Sequence, residues 1–240
     1  MMRIIPAIDI INGQCVRLTE GDFNQQKTYS SSPVEVAKQF EGEGITHLHL
    51  VDLDGARARK PVNLAVLENI AAQTSLHIDY GGGIQSQEAI TQAFSAGAKQ
   101  ITAGSIAVRE PETVTQWLQT FGADKIIIGA DFRDNTIAIN AWADQSDLLL
   151  ISFISDYGQK GAKYFICTDV SKDGKLQGPA TATYKNLVAA YPEINMIASG
   201  GVTTIQDIMQ LQEAGLFGAI IGKAIYEGTI TLKDLKPFLC

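Results

Sequence analysis

Gly82-Gly83-Ile84 returns farther down the chain as Gly200-Gly201-Val202, and that return decides the fold. The offset is 118 positions, and neighbouring residues keep it. Gly97 and Gly215 stand fourteen places after Gly83 and Gly201, and Gly104 and Gly222 stand twenty-one places after them. Ala96-Gly97-Ala98 aligns with Ala214-Gly215-Leu216, and Gly104-Ser105-Ile106 with Gly222-Lys223-Ala224. Farther out, Asp52 matches Asp169 at an offset of 117, and Asp9 matches Asp131 at 122. Unequal loop lengths produce that drift. The period is too long for a solenoid array, so the chain reads as two similar halves.

Each half contains the same alternation. Short, β-branched apolar runs near Arg3–Asp9, His47–Val51, Leu76–Tyr80, Gln100–Ala103, Lys125–Asp131, Tyr164–Thr168, Met196–Ser199 and Ala219–Ile221 read as strands buried on both faces. Amphipathic runs at Pro33–Glu43, Asn63–Ala72, Gln87–Ala96, Glu112–Thr120, Asp147–Gln159, Thr183–Ala190, Ile205–Ala214 and Leu232–Phe238 read as helices. Ser32 and Pro33 supply a cap and a first-turn proline for the first of them. Alternation alone also fits an open, doubly wound sheet. Two halves of four β/α units fit a closed ring with approximate two-fold symmetry. The expected fold is therefore α/β, a (β/α)8 TIM barrel, in one domain spanning residues 1–240. The connection Ile11–Ser32 reads as a long loop without structure of its own, and loops of that length often act as lids.

Composition narrows the function. The formal net charge is −7 with no long basic run, which disfavours nucleic acid as a partner. No apolar run approaches a membrane span, and the Met1–Asp9 start lacks the features of a signal peptide. Three cysteines, Cys15, Cys167 and Cys240, form no CxxC pair, and an odd number fits a reducing, cytoplasmic compartment. His47, His49 and His77 are not spaced as metal ligands, so no metal is expected.

The glycines and carboxylates carry the chemistry. Glycine where a strand turns into a helix lets the backbone approach an anion and aim amides at it. In a barrel the loops after strands seven and eight often make one phosphate site, here Gly201, Gly222 and Lys223. The repeat predicts a second from Gly83, Gly104 and Ser105. Two such sites imply a small-molecule substrate phosphorylated at both ends. Asp9 ends strand one and Asp131 ends strand five, on opposite sides of the ring, so both rim one pocket as an acid–base pair. The acid partner needs a carboxyl pKa raised above about 4. Thr168 either orients a carboxylate or only favours a strand. His49 is either a pocket group or a satisfied core histidine, and Trp142 either stacks on a flat heterocycle or packs in the core. Cys15 and Cys167 read as small apolar packing groups.

The motifs together resemble one family. They are Ile5-Pro6-Ala7-Ile8-Asp9, Cys15-Val16-Arg17-Leu18, Gly21-Asp22, Val51-Asp52-Leu53-Asp54-Gly55-Ala56, Lys60-Pro61-Val62-Asn63, Gly82-Gly83-Ile84, Thr168-Asp169 with Lys172-Asp173-Gly174 and Gly178-Pro179, Ala198-Ser199-Gly200-Gly201-Val202, and Gly222-Lys223-Ala224-Ile225-Tyr226-Glu227-Gly228. This set, running from first strand to last helix, resembles the ProFAR isomerases (phosphoribosylformimino-aminoimidazole carboxamide ribotide isomerases) of histidine biosynthesis. The resemblance implies an Amadori rearrangement of an aminoaldose to an aminoketose, without cofactor or metal. It implies Asp131 as general acid, Asp9 as general base, Thr168 beside them, and Arg17 and Asp169 among the substrate-binding groups. It also implies a monomer. One departure is Gln85, where the family usually has Arg, with Arg17 or Lys223 as candidate replacements. Another is Asn140-Ala141-Trp142, where relatives that also isomerise phosphoribosylanthranilate resemble Arg-Gly-Trp.

Rival readings remain. The cyclase of the same pathway shares the half-barrel repeat but resembles Val-Lys-Gly at Val16-Arg17-Leu18. Phosphoribosylanthranilate isomerase typically has a Cys base where Asp9 stands. A bisphosphate-binding barrel without catalysis would not need both aspartates.

Overall fold

A computed structural model of the chain describes residues 2–19, 21–139, 142 and 144–239. Cys240 lies outside the described residues, as do Asn140 and Ala141 of the motif before Trp142. Among the described residues, eight parallel strands form the ring. They are β1 (Arg3–Ile11), β2 (His47–Asp52), β3 (His77–Gly81), β4 (Gln100–Ala103), β5 (Ile126–Gly129), β6 (Tyr164–Thr168), β7 (Asn195–Ser199) and β8 (Gly218–Ile221). Each pairs with the next, and β8 pairs back onto β1, with Arg3 opposite Gly218 and Ile5 opposite Ile220. The outer helices are α1 (Pro33–Gly42), α2 (Leu64–Gln73), α3 (Gln87–Ser95), α4 (Pro111–Phe121), α5 (Leu150–Gln159), α6 (Thr181–Ala190), α7 (Ile205–Glu213) and α8 (Leu232–Leu235). The expected (β/α)8 barrel is the observed fold.

Local chemistry sets the helix starts. Ser32 accepts a hydrogen bond from the Glu35 amide ahead of Pro33, as expected for α1. Thr204 and Asp207 cap α7 reciprocally, each satisfying the other's backbone N–H.

Period-two alternation separates two cores. Ile4, Ile8 and Ile10 of β1 face the helices and join the large outer cluster. Ile5 and Ala7 face inward and meet Ile127, Ile166, Ile197 and Ile220 inside the ring. The same alternation aims the residues at the strand ends. Asp9 continues the inward set Ile5, Ala7, and Asp131 continues Ile127, Gly129. The barrel thus places its functional side chains by parity, above an apolar plug.

At the N-terminal ends of the strands the inward residues are larger and polar. The rings of His47 and His77 lie 5.0 Å apart, and His77 Nε2 is 3.1 Å from Gln100 Oε1. The Arg3 guanidinium sits 4.3 Å over the Phe217 ring.

Several local expectations are corrected. The connection after β1 is not structureless. It is an antiparallel ribbon, Gln14–Thr19 and Asp22–Ser30, that extends the barrel sheet from β1, with Asp9 opposite Val16. Its first turn is Asn12-Gly13, both at positive φ, the two-residue geometry that matches strand twist. Strand five ends at Gly129, so Asp131 stands two residues beyond it. The run read as a helix from Asp147 is a strand through Leu149, and α5 begins only at Leu150. That strand, Asp144–Leu149, joins Thr136–Ile139 and Phe132–Arg133 in a small antiparallel sheet over the end of β5. The unbroken apolar run Leu148–Ile151 has no period to mark the boundary. Short helices also occupy Leu53–Ala58, Ser105–Arg109 and Lys223–Tyr226. No described helix is long and apolar enough to cross a membrane.

Candidate active site

The C-terminal mouth of the barrel holds a cavity of about 500 Å³, within the range that encloses small organic ligands. Its wall brings together Asp9, Arg17, His49, Gly83, Gly104, Ser105, Asp131, Trp142 and Thr168. A smaller recess opens beside it, lined by Gly201, Gly222 and Lys223. Arg17, Asp173, Ser199 and Ile220 line both, so the two spaces meet along a shared edge. Asp169 lines neither. Its carboxylate accepts from the Ser171 amide at 3.0 Å and the Ser171 hydroxyl at 2.6 Å, which shapes the loop carrying Asp173.

The two aspartates sit in different company. Asp9 Oδ2 is 2.9 Å from Arg17 Nη1, and both residues are buried. Burial pushes the Asp9 carboxyl up, and the charges of Arg17 and His49 pull it part of the way back. Asp131 meets neutral donors instead. The Trp142 indole N–H donates to its Oδ2 at 2.8 Å, and Thr168 gives a further side-chain hydrogen bond. Burial raises this carboxyl too, against those two bonds and the charge of His49. The strands that carry the pair are four steps apart round an eight-stranded ring.

A third carboxylate, to which the sequence alone assigns no role, completes the set. Asp173 lies 3.9 Å from the Arg17 guanidinium. Burial pushes its pKa up to about 6; Arg17 opposes the rise, and Asp9 and Asp131 add to it. Arg17 therefore serves two acids at once, and its buried Nε has no hydrogen-bond partner among the described residues. Nothing in the spacing of Lys172-Asp173-Gly174 shows that its loop folds back over β1.

The matched glycines take matched backbone conformations. Gly83 has φ +80°, and a Cβ there would stand 2.5 Å from the Lys60 carbonyl carbon. Gly201 has φ +81°, and its Cβ would stand 2.3 Å from the Gly178 oxygen. Both positions exclude a side chain twice over, by backbone conformation and by contact. Gly104 and Gly222 precede the short helices with similar angles, φ −89°, ψ −112° and φ −107°, ψ −98°. A Cβ at Gly104 would meet no atom within 4 Å, so that glycine borders open space. Lys223 Nζ donates to the Gly174 carbonyl at 2.6 Å and stands at the recess.

Gln85 lines the larger cavity, on the arm built from Gly83, Gly104 and Ser105. Arg57, Arg59 and Arg109 line the same cavity and bring cationic side chains to it. Lys223 belongs to the other recess. Arg57 also lies 4.8 Å from the centre of the Phe23 ring, tying the ribbon to the short helix after β2. Asp52, the half-repeat partner of Asp169, is wholly buried and away from the cavity. It accepts from the amides of Gly55, Val62 and Asn63, from the Asn63 side chain and from the Tyr80 hydroxyl, all at 2.7–2.8 Å.

The sequence was compared with known proteins. The family model for histidine biosynthesis proteins matches residues 3–231. The 1-(5-phosphoribosyl)-5-((5-phosphoribosylamino)methylideneamino)imidazole-4-carboxamide isomerase of Cytophaga hutchinsonii is 56% identical over 238 residues, covering 99% of both chains. Its namesake in Bacteroides thetaiotaomicron is 52% identical over 239 residues, covering 100% of both. That of Flavobacterium johnsoniae is 52% identical over 238 residues, covering 99% of both. A barrel closed from Arg3 to Ile221, with paired carboxylates at its mouth and relatives of equal length, leaves one conclusion about kinship: the chain belongs to the histidine biosynthesis protein family.

Proposed function

We propose that the chain is an aldose–ketose isomerase that converts ProFAR, the aminoaldose named in its relatives, to the aminoketose PRFAR by acid–base catalysis. The observation that carries this reading is the pair of buried carboxylates at opposite sides of one cavity, one beside a guanidinium and one beside neutral donors. Asp131 is the general acid. It holds its proton because burial raises it and the groups that bond to it, Trp142 and Thr168, are neutral, and it gives that proton to the ribose ring oxygen. The C1–O bond then breaks as the amine nitrogen forms a C=N bond. Asp9 is the general base. The Arg17 ion pair favours its anion, which takes the proton from C2; the electron pair left behind closes a C1=C2 double bond as the C=N pair returns to the amine nitrogen. Reprotonation at C1 and loss of the hydroxyl proton at C2 give the ketose.

Binding divides between the two arms. Gly83, Gly104 and Ser105 hold one phosphate, and Gly201, Gly222 and Lys223 hold the other. Arg17 bridges them, since it lines both spaces. His49 and Trp142 contact the substrate between the phosphates, Thr168 steadies Asp131, and Asp169 acts from outside the wall through the Ser171 turn. This reading needs no metal or cofactor. It has the chain work as a monomer and single domain in the cytoplasm on a bisphosphorylated small molecule, without nucleic acid or membrane.

The test is turnover of ProFAR by the purified protein, with the ketose product plus ammonia, and phosphoribosylanthranilate, as the competing substrates. Asp9→Asn and Asp131→Asn are expected to bind ProFAR while losing at least about 10²-fold in kcat. Full activity in either variant would remove the mechanism. Turnover of a different substrate would move the chain to a rival isomerase or cyclase. Tight binding with no turnover of any of them would make it a bisphosphate-binding barrel.

A further inference from the structure

Inside the barrel, directly beneath the cavity, three inward side chains on adjacent strands form a polar chain. His49 Nδ1 on β2 is 2.5 Å from Asp79 Oδ2 on β3. The Thr102 hydroxyl on β4 donates to Asp79 Oδ1 at 2.6 Å. His49 and Asp79 are register partners across the two strands. Both His49 and Thr102 reach the cavity wall, whereas Asp79 does not and is only 6% exposed.

A carboxylate held this deep needs a partner for each oxygen, and both oxygens have one. Its presence has a consequence for the ring beside it. A histidine bonded through Nδ1 to a carboxylate is fixed in orientation, and its remaining nitrogen, Nε2, is left for a ligand. The charged groups that bear on His49 are Asp79 from β3, Asp9 from β1, Arg17 from the ribbon, and Asp131 beyond β5. Three of these are acids and one is a cation. Burial alone would hold the ring neutral, but Asp79, by charge and hydrogen bond, and Asp9 together carry its pKa above the usual histidine value, against Arg17.

We infer that Asp79 is a positioning residue that fixes His49 as a cationic hydrogen-bond donor at the cavity floor, between the base Asp9 and the acid Asp131. The inference rests on the isomerase reading for the use of that donor. The substrate's ribose oxygens lie between the two phosphates, and a charged donor there is ready for the oxygen on C2 while its carbon loses a proton. The His49–Asp79 pairing itself stands independently of which substrate is turned over. Thr102 holds the far oxygen of Asp79, so that the carboxylate cannot rotate away from the ring.

Two measurements test this. Nitrogen-15 NMR of the histidine side chains in the full wild-type chain is expected to show His49 losing its second proton at a higher pH than an ordinary histidine, whose midpoint is about 6.5. In Asp79→Asn the same ring is expected to titrate below its wild-type midpoint. In kinetics, Asp79→Asn is expected to lose about tenfold or more in kcat on ProFAR with KM changed less than about threefold. The ratio of variant to wild-type kcat should rise as the pH falls and His49 regains its proton. Thr102→Val, which keeps the carboxylate, is expected to leave His49 charged and to lose less activity. A wild-type His49 midpoint at or below the ordinary histidine value of about 6.5 would overturn the inference, and that result needs no variant to fold. So would an Asp79→Asn deficit that is the same at every pH. Absence of ProFAR turnover in the wild type would retire the isomerase reading and leave the titration to decide the pairing.

Discussion

Asp52 and Asp169 occupy equivalent places in the repeat and hold different bonds. Asp52 gathers five donors in a wholly buried pocket, and the segment from Gly55 in the short helix to Asn63 is wrapped around it. Asp52→Ala leaves all five without their acceptor. It is expected to lower unfolding free energy by roughly 3 kcal/mol or more, measured by urea titration, because unsatisfied buried donors carry most of their desolvation penalty. The sequence makes Asp52 visible as a strand-end carboxylate but not as a structural one, since its partners lie up to 28 positions away at Tyr80. Asp79 and Asp173 escape a reading of the sequence for a related reason. Neither has a local motif that marks it, and each matters only because strand register or a returning loop sets it against His49 or Arg17. Asp9 is legible from both the family motifs and the repeat, Asp131 from the repeat, and Arg17 and Thr168 from the motifs. The repeat names the pair but not its direction; the different neighbours, guanidinium against indole and hydroxyl, are a three-dimensional fact.

At the scale of elements, the strands and outer helices can be read because buried parallel strands are apolar on both faces and the helices are amphipathic. The two added sheets escape because one strand of each is polar or solvent-facing: Asn24 to Thr28 are exposed in succession, and so is Asp144–Leu149 apart from Ser146. Their turns are nonetheless written in the sequence. Asn12-Gly13 and Asp134-Asn135 each take two consecutive positive φ values between paired strands, as residues of these types do in two-residue hairpins. The first ribbon covers the cavity edge with Phe23, held against Arg57. Phe23→Ala removes a cation–π contact of about 0.5–1 kcal/mol. It is expected to raise KM for ProFAR by about two- to fivefold with kcat nearly unchanged, in steady-state assays. A fall in kcat with KM constant would place Phe23 in the chemistry instead of the cover.

For the molecule as a whole, the two ends of the barrel have opposite electrostatic tasks. At the closed end, burial, with Arg3 and His77 adding to it, pulls the His47 pKa down to about 4. The native ring is then neutral while the unfolded ring takes a proton near pH 6.5. Stability from this group is full above about pH 6.5 and is lost as the pH falls towards 4. The urea midpoint of the wild type is therefore expected to fall, relative to His47→Gln, between pH 7 and pH 4.5; a constant difference across that range would show that His47 does not titrate with folding. At the open end, the glycine arms repeat so closely that Gly83 and Gly201 differ by one degree in φ. On the proposed reading, a mouth with such a grip on each side can receive a two-headed molecule either way round. With Asp9 as the proposed base, only one loading sets the sugar carbon beside it, and the reversed one would occupy the mouth without reacting. What tells the two apart is whatever lacks a counterpart across the axis: Arg17 with Asp173 on one side, Trp142 with Thr168 on the other. Those four side chains give a symmetric mouth a handedness, and with it a sense of which end of its cargo comes first.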